Sequence, residues 1–333
     1  MRSPGGRTAR IVHAGAPLLL GLLLLACLAG CRKRDASEHA ALRVGYFHNL
    51  THAQALVASV EGQLGASVEW VPFGAGPAAI EALLSGSVDA AFLGTGPAIN
   101  GWLKADRELV VLAAAVNGGA GLVTHGARTP EALRGKVLAA PQLGNTQDVS
   151  LRYWLLNHGL VPGKDVTVVP LSNADILGLF ERGELEGAWV PEPWTSRLEL
   201  EGKGTMAVDE ATLWPGGRFH TTLLVATKRA RRERPQELLT LLEAHVRLTG
   251  EWRAQPQVFA RRVQAAFLQQ TGLPVRTEVL ERAFGRLEPA LIPERALLQT
   301  AADHAAALHY IPQADVSGLV DRTLLDEAMR EPR

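Results

Sequence analysis

The chain has 333 residues, of which 47% are hydrophobic, with 34 basic against 34 acidic side chains. That is enough apolar sequence for a large core and more than one lobe. The balanced charge, with no basic stripe interleaved with aromatics, excludes a nucleic-acid binder.

The N-terminus reads as a leader and not as part of the fold. Arg2, Arg7 and Arg10 precede an uncharged run over 11–30 that is dense in leucine, the anatomy of a secretory signal. Without these arginines the rest carries 31 basic against 34 acidic residues. The run ends in Leu28-Ala29-Gly30-Cys31, which resembles a bacterial lipoprotein box. Segment 1–30 is therefore expected to be removed, with Cys31 lipidated and 31–41 serving as a tether; the alternative is an uncleaved membrane anchor, of borderline length for a span. More than one acyl chain on Cys31 anchors stably. The remaining cysteine, Cys27, also lies in the leader, so the body has no disulfide, thiolate nucleophile or cysteine metal site.

Beyond the tether, 42–46 reads as a first strand, 51–60 as a helix and 68–71 as a second strand. Pro77 opens a helix that Gly86 stops, as proline-first and glycine-last placement predicts. Segment 88–93 is a third strand, apolar enough to be covered on both faces. Pro97 opens another helix, and strands are expected at 109–116 and 121–124. The pattern then repeats: strand 136–139, helix 146–157, strand 166–169, helix 174–182, strand 187–190. Strand 221–226 leads back, and from Pro235 helices dominate (237–248, 256–269, 276–287 and 295–308).

The repeat is visible residue by residue. Gly86, Asp89 and Phe92 of the first half correspond at a single offset to Gly183, Glu186 and Trp189 of the second, and 71–73 (Val-Pro-Phe) corresponds to 169–171 (Val-Pro-Leu). Alternating strand and helix in two similar halves implies two α/β lobes with parallel sheets and a cleft between them. The expected lobes are 42–125 and 126–220, with crossings around 121–126 and 220–227. Segment 221–333 provides the return strand and a helical tail packed on the first lobe.

Ligands of open α/β sheets sit at the carboxyl ends of strands. Four such tips stand out. The first carries His48, Asn49, Thr51 and His52, with Asn49 or Thr51 as the expected N-cap. The second is Gly94-Thr95-Gly96-Pro97. The third is Gly144-Asn145-Thr146-Gln147. The fourth is Trp189-Val190-Pro191-Glu192-Pro193-Trp194. Small polar residues at helix N-termini suit an anion, because unpaired N–H groups and the helix dipole favour negative charge. A single such tip is an ordinary N-cap more often than a site; three in equivalent positions on facing lobes point to a ligand. Trp189 either belongs to the core or walls the cleft, and Glu192 either receives a ligand amine or bonds the opposite lobe. His48 and His52 have no partner pair with ligand spacing, and His304 and His309 do not share a helical face, so no metal is expected. No nucleophile elbow, His-Glu-x-x-His or phosphate loop is present. An enzyme and a cofactor are not expected.

These same residues carry a family resemblance. Segments 44–55, 75–89, 94–100, 141–148 and 189–194 resemble the substrate-binding proteins of bacterial ABC importers in the nitrate, sulfonate and taurine group, aliphatic-sulfonate binders above all. The resemblance spans about 42–308. It implies a type II periplasmic-binding fold that closes on its ligand by a hinge motion and docks on a membrane permease. A monomer is expected, tethered by the lipid on Cys31 in the periplasm or cell envelope. By the same resemblance Thr95, Gly96, Asn145 and Thr146 hold the anionic group, while His48, Asn49, Trp189 and Glu192 contact the rest of the ligand. Related members take sulfonates, taurine, nitrate, bicarbonate or thiamine-pyrimidine precursors. An enzyme resembling a thiamine-pyrimidine synthase and a regulatory sensor are the competing classes.

Overall fold

The computed structural model describes residues 41–330 apart from 63, 65, 66 and 75. The leader, the tether and Cys31 lie outside the described residues, so the lipoprotein reading has no structural counterpart here.

The first half runs β1 (Leu42–Phe47), a 3-10 turn (Leu50–His52), α1 (Ala53–Glu61), β2 (Val68–Phe73), α2 (Gly76–Leu84), β3 (Ala90–Leu93), α3 (Thr95–Lys104) and β4 (Leu109–Gly118). The second runs β5 (Ala120–Thr124), β6 (Val137–Pro141), α4 (Thr146–Asn157), β7 (Thr167–Leu171), α5 (Asn173–Glu181), β8 (Gly187–Pro191), α6 (Trp194–Leu200) and β9 (Thr205–Asp209). Then follow β10 (His220–Thr227), α7 (Lys228–Glu233), α8 (Pro235–Ala254), α9 (Pro256–Thr271), α10 (Thr277–Phe284), β11 (Leu287–Pro289), α11 (Arg295–Ala307) and α12 (Thr323–Arg330).

The strands form two sheets, ordered β11-β4-β10-β3-β1-β2 and β7-β6-β8-β5-β9. The internal repeat is real at the level of hydrogen bonds. In each sheet the first strand lies between the second and third, parallel to both. Val44 pairs with Ala90 in one sheet and Leu138 with Gly187 in the other. Asp89 N–H donates to Arg43 O at 2.8 Å, and Glu186 N–H donates to Val137 O at 2.9 Å. Helices α2 and α5 are followed by Gly86 and Gly183, which take nearly the same left-handed φ of 72° and 73°. Pro72 and Pro170 fall on the edge strands β2 and β7, where a missing N–H breaks no ladder.

Each sheet also holds one interior antiparallel strand: β10 lies between β3 and β4, and β5 between β8 and β9. The chain passes from the first sheet to the second at Gly118–Gly119, between β4 and β5. This corrects the crossing expected at 121–126, because Ala120–Thr124 is already a strand of the second sheet. The return runs from Asp209 to His220, ahead of the expected 220–227, which is β10 itself.

Side chains alternate between the faces of each sheet. Ala90 and Phe92 enter one apolar cluster and Ala91 and Leu93 the cluster on the opposite face. Trp189 faces one cluster of the second sheet, and Ala188 and Val190 face the other. The tail helices α8, α9, α10 and α12 complete a cluster of the first sheet, and α11 the cluster on its other face.

Several short elements were not foreseen. Strand β9 and the three-residue β11 are too brief or too half-exposed for a period-2 pattern to show. Helix α6 begins directly after the Pro-Glu-Pro corner. Helix α3 begins at Thr95, two residues before Pro97, because proline is tolerated within a first turn.

Candidate functional site

The second and third tips meet. Helix α3 starts at the end of β3 with Gly94 as its N-cap, and no side chain caps it. Helix α4 starts beyond the end of β6 with Asn145 as its N-cap, whose Oδ1 accepts from Asp148 N at 2.9 Å. Gly96 N–H of α3 donates to Thr146 Oγ1 of α4 at 3.2 Å, so the first turns of two helices on different sheets touch. Thr95 Oγ1 donates to His220 O at 2.5 Å, and both residues are buried.

Glycine is what permits this approach. A Cβ on Gly94 would stand 2.6 Å from Thr146 Oγ1, and one on Gly96 would stand 3.2 Å from Thr146 N. No lysine or arginine lines the void at this junction; Thr95, Gly96, Thr146, Ser150, Trp214 and His220 are among the residues that do. Its volume is about 10 Å³, room for little more than a water molecule. Two helix N-termini, each with a partial positive charge, thus converge with no side-chain anion between them. An anion admitted there by a parting of the two tips would gain from both dipoles.

Further expected residues are placed around these tips. Gly144 N–H donates to Asp148 Oδ2 at 2.9 Å, and Asp148 also accepts from Arg152 Nε at 2.7 Å and Tyr310 OH at 2.9 Å. Gln147 is buried in the first turn of α4. Asn49 and Thr51 are buried at the first tip, and Asn49 Oδ1 has no hydrogen-bond partner among the described residues. Neither Asn49 nor Thr51 caps α1, which begins after a 3-10 turn.

Other candidates are committed elsewhere. His52 is 3% exposed, lies against Phe47 and accepts from Phe47 N–H at Nδ1 (3.3 Å). Burial, and to a smaller extent nearby His48, lower its pKa to about 3, so it is neutral and supports the tip. His48 is half-buried, with Nε2 3.4 Å from Tyr46 OH, and burial lowers its pKa. Trp189 is fully buried and donates through Nε1 to Glu210 Oε2 at 2.6 Å, which places it in the core rather than on the cleft wall.

Glu192 is fully buried as well. Its carboxylate accepts from Ser196 N at 3.1 Å, Ser196 Oγ at 2.9 Å and Arg286 Nη1 at 3.1 Å. Arg286 sits between α10 and β11, a strand of the first sheet, and also binds Glu199 at 2.7 Å. Of the two roles open to Glu192, the bond to the other side is the one the geometry shows. Burial pushes its carboxyl up, while Arg286 and the bonds from Ser196 pull it back.

Sequence reasoning missed His220, Glu210, Trp214 and Arg286. His220 Nε2 accepts from Glu294 N at 2.8 Å, leaving Nδ1–H for Asn117 Oδ1 at 2.7 Å. Burial lowers its pKa to about 4. Each missed residue lies on the return segment or in the tail, far along the chain from its partners, and no local motif marks it.

The fold is the two-lobed type II arrangement of periplasmic binding proteins. It superposes on the alkanesulfonate-binding protein SsuA from Xanthomonas axonopodis pv. citri with a TM-score of 0.71 at 23% identity, covering 86% of this chain and 99% of that one. Superposition on the periplasmic nitrate-binding protein NrtA from Synechocystis gives 0.74 at 18% identity, over 88% and 89% of the two chains. In sequence, 152 residues are 32% identical to the taurine-binding periplasmic protein of Escherichia coli K12. That alignment spans 45% of this chain and only about half (47%) of the relative. Residues 35–267 match the NMT1-like family, and the chain belongs to it.

Proposed function

We propose that this protein is the extracytoplasmic solute-binding component of an ABC importer, that it captures a small anion, and that an aliphatic sulfonate or taurine is its ligand. The observation that carries this reading is the junction of α3 and α4, where Gly96 N–H meets Thr146 Oγ1 at 3.2 Å without a basic side chain. A sulfonate held by neutral donors at two helix ends is bound strongly but released readily when the lobes part, as delivery to a permease requires. Thr95, Gly96, Asn145 and Thr146 hold the anionic group, and Asn49, with its unpartnered Oδ1, and His48 face the rest. The two-lobed relatives named for taurine, alkanesulfonate and nitrate support the class of ligand. Cys31 carries the lipid that tethers the protein to the membrane.

A thermal-shift panel of ethanesulfonate, taurine, nitrate, bicarbonate and a thiamine-pyrimidine precursor tests this. A ligand at about 100 times its Kd adds roughly 2.7 kcal/mol to stability. A sulfonate or taurine shift that disappears in Thr95→Ala/Thr146→Ala supports the reading. A panel without any shift removes the ligand class, and an unchanged affinity in the double variant removes the site. Metabolic labelling with palmitate, lost in Cys31→Ala, checks the anchor.

A further inference from the structure

Next to the anion junction lies a second, larger cavity that this function does not use. It has a volume of about 250 Å³ and is walled by Tyr153, Trp154, Trp214, His158 and His304. Tyr153 and Trp154 come from α4, Trp214 from the return segment and His304 from α11, so elements of both halves build it. His304 stacks on Tyr153 at 3.9 Å between ring centroids and stands 5.2 Å from Trp214. None of the residues lining the cavity is a lysine or arginine.

Glu210 forms part of the wall. It is fully buried and its charged neighbour is another acid, Asp209; no cation among the described residues pairs with it. Its oxygens are held by Ser150 Oγ at 2.6 Å and Trp189 Nε1 at 2.6 Å. Buried carboxylates are ordinarily paired with a cation. Here burial lifts the carboxyl to about 7, so that near neutral pH it is only partly ionised and a cation beside it would favour the charged form. Aromatic rings around a buried acid are surroundings in which a desolvated organic cation is favoured.

We propose that this aromatic box is a binding site for an organic ammonium group. The volume, below the roughly 300–1,000 Å³ of drug-sized sites, suits a head group of a few heavy atoms. The box shares Ser150, Trp214 and His304 with the void at Thr95, Gly96 and Thr146. Its occupant is therefore either the cationic end of a zwitterion whose anion rests at the helix tips, or a separate amine. The inference goes beyond the anion reading and stands or falls apart from it.

The test is a titration of the full chain in detergent at mildly alkaline pH, followed by tryptophan fluorescence. The probes are choline, the uncharged alcohol in which carbon replaces its nitrogen, ethanesulfonate, and a trimethylammonio-propanesulfonate. Choline is expected to saturate and to bind at least roughly tenfold more tightly than its uncharged counterpart, a difference typical of a desolvated cation–π site. Tyr153→Leu and Glu210→Gln each weaken choline by a similar factor, and Tyr153→Leu leaves ethanesulfonate unchanged. Equal binding of choline and the alcohol in the unmutated protein overturns the proposal and needs no variant to fold. So does a choline affinity that both variants preserve. A zwitterion that binds more tightly than choline or ethanesulfonate assigns the box to the ligand's own tail. One that binds no better than ethanesulfonate, with choline bound, assigns it to a separate amine. Choline binding without ethanesulfonate binding would remove the anion reading and keep the box, and the reverse would remove the box alone.

Discussion

Gly94-Thr95 and Pro191-Glu192 occupy equivalent places, each where the third strand of a half gives way to a helix, yet they treat the helix end in opposite ways. At the second of these, the N-terminus of α6 is filled by the chain's own anion: Glu192 accepts from Ser196 N and Oγ, and Arg286 closes over it. At the first, α3 has no side-chain cap and turns its amides toward the first turn of α4. One tip is occupied by the chain's own carboxylate and fixes structure; the other is the one proposed to take a ligand. The contrast shows that this backbone arrangement accommodates a carboxylate, since one is already bound in the copy that does not need to exchange it.

The largest effect is expected from breaking the occupied tip. Arg286→Leu leaves Glu192 buried with neutral donors, and removing one partner of a buried ion pair destabilises by about 3–5 kcal/mol. Arg286 is partly exposed and Ser196 remains, so about 3 kcal/mol is the expectation in urea unfolding near neutral pH. The sign with pH follows from linkage. The variant raises the folded-state pKa of Glu192 further above its unfolded value. The added penalty therefore grows as pH rises above the ordinary carboxylate range and vanishes below it, where Glu192 is protonated in both states. A destabilisation that stays constant down to acid pH would show that Glu192 does not carry the charge at this tip.

A smaller and more selective effect is expected at the open tip. In Gly94→Ala the new Cβ, 2.6 Å from Thr146 Oγ1, pushes α3 and α4 apart. Overpacking of this kind costs about 1–3 kcal/mol, and here it falls on the contact between the two helix ends. Affinity for the sulfonate, measured by calorimetry, should drop roughly tenfold or more, beyond what the lowered ligand-free melting temperature accounts for. Retained affinity would mean that the two helix ends do not need to approach to bind.

Much of this contrast was legible in the sequence, for a physical reason. The repeat Gly86, Asp89, Phe92 against Gly183, Glu186, Trp189 records local requirements, namely a helix stop, a strand entry and a core side chain, and local requirements leave local patterns. The tips were legible as well, because helix starts use a small vocabulary of glycine, threonine and asparagine. What Glu192 and Trp189 touch was not legible. Their partners, Arg286 and Glu210, come from the tail and from a short 3-10 turn after β9, and only the fold brings them within 3.1 and 2.6 Å. The crossing was misplaced for a related reason: an apolar run such as Ala120–Thr124 reads as a strand without revealing which sheet it joins.

The smallest expected effect separates the two helices that meet at the open tip. Helix α4, unlike α3, is capped by its own chain, through Asn145 Oδ1 on Asp148 N and Asp148 Oδ2 on Gly144 N. Asn145→Ala removes the first of these bonds and should cost about 1 kcal/mol in unfolding free energy, the usual value of an N-cap. The return bond from Gly144 N–H to Asp148 remains, so the helix start is weakened and not lost. If the cap serves stability alone, sulfonate affinity falls no further than the melting temperature implies. A loss of affinity well beyond that, in a protein that still melts within a few degrees of the unmutated one, would place the Asn145 side chain on the ligand itself and make α4, like α3, an open end.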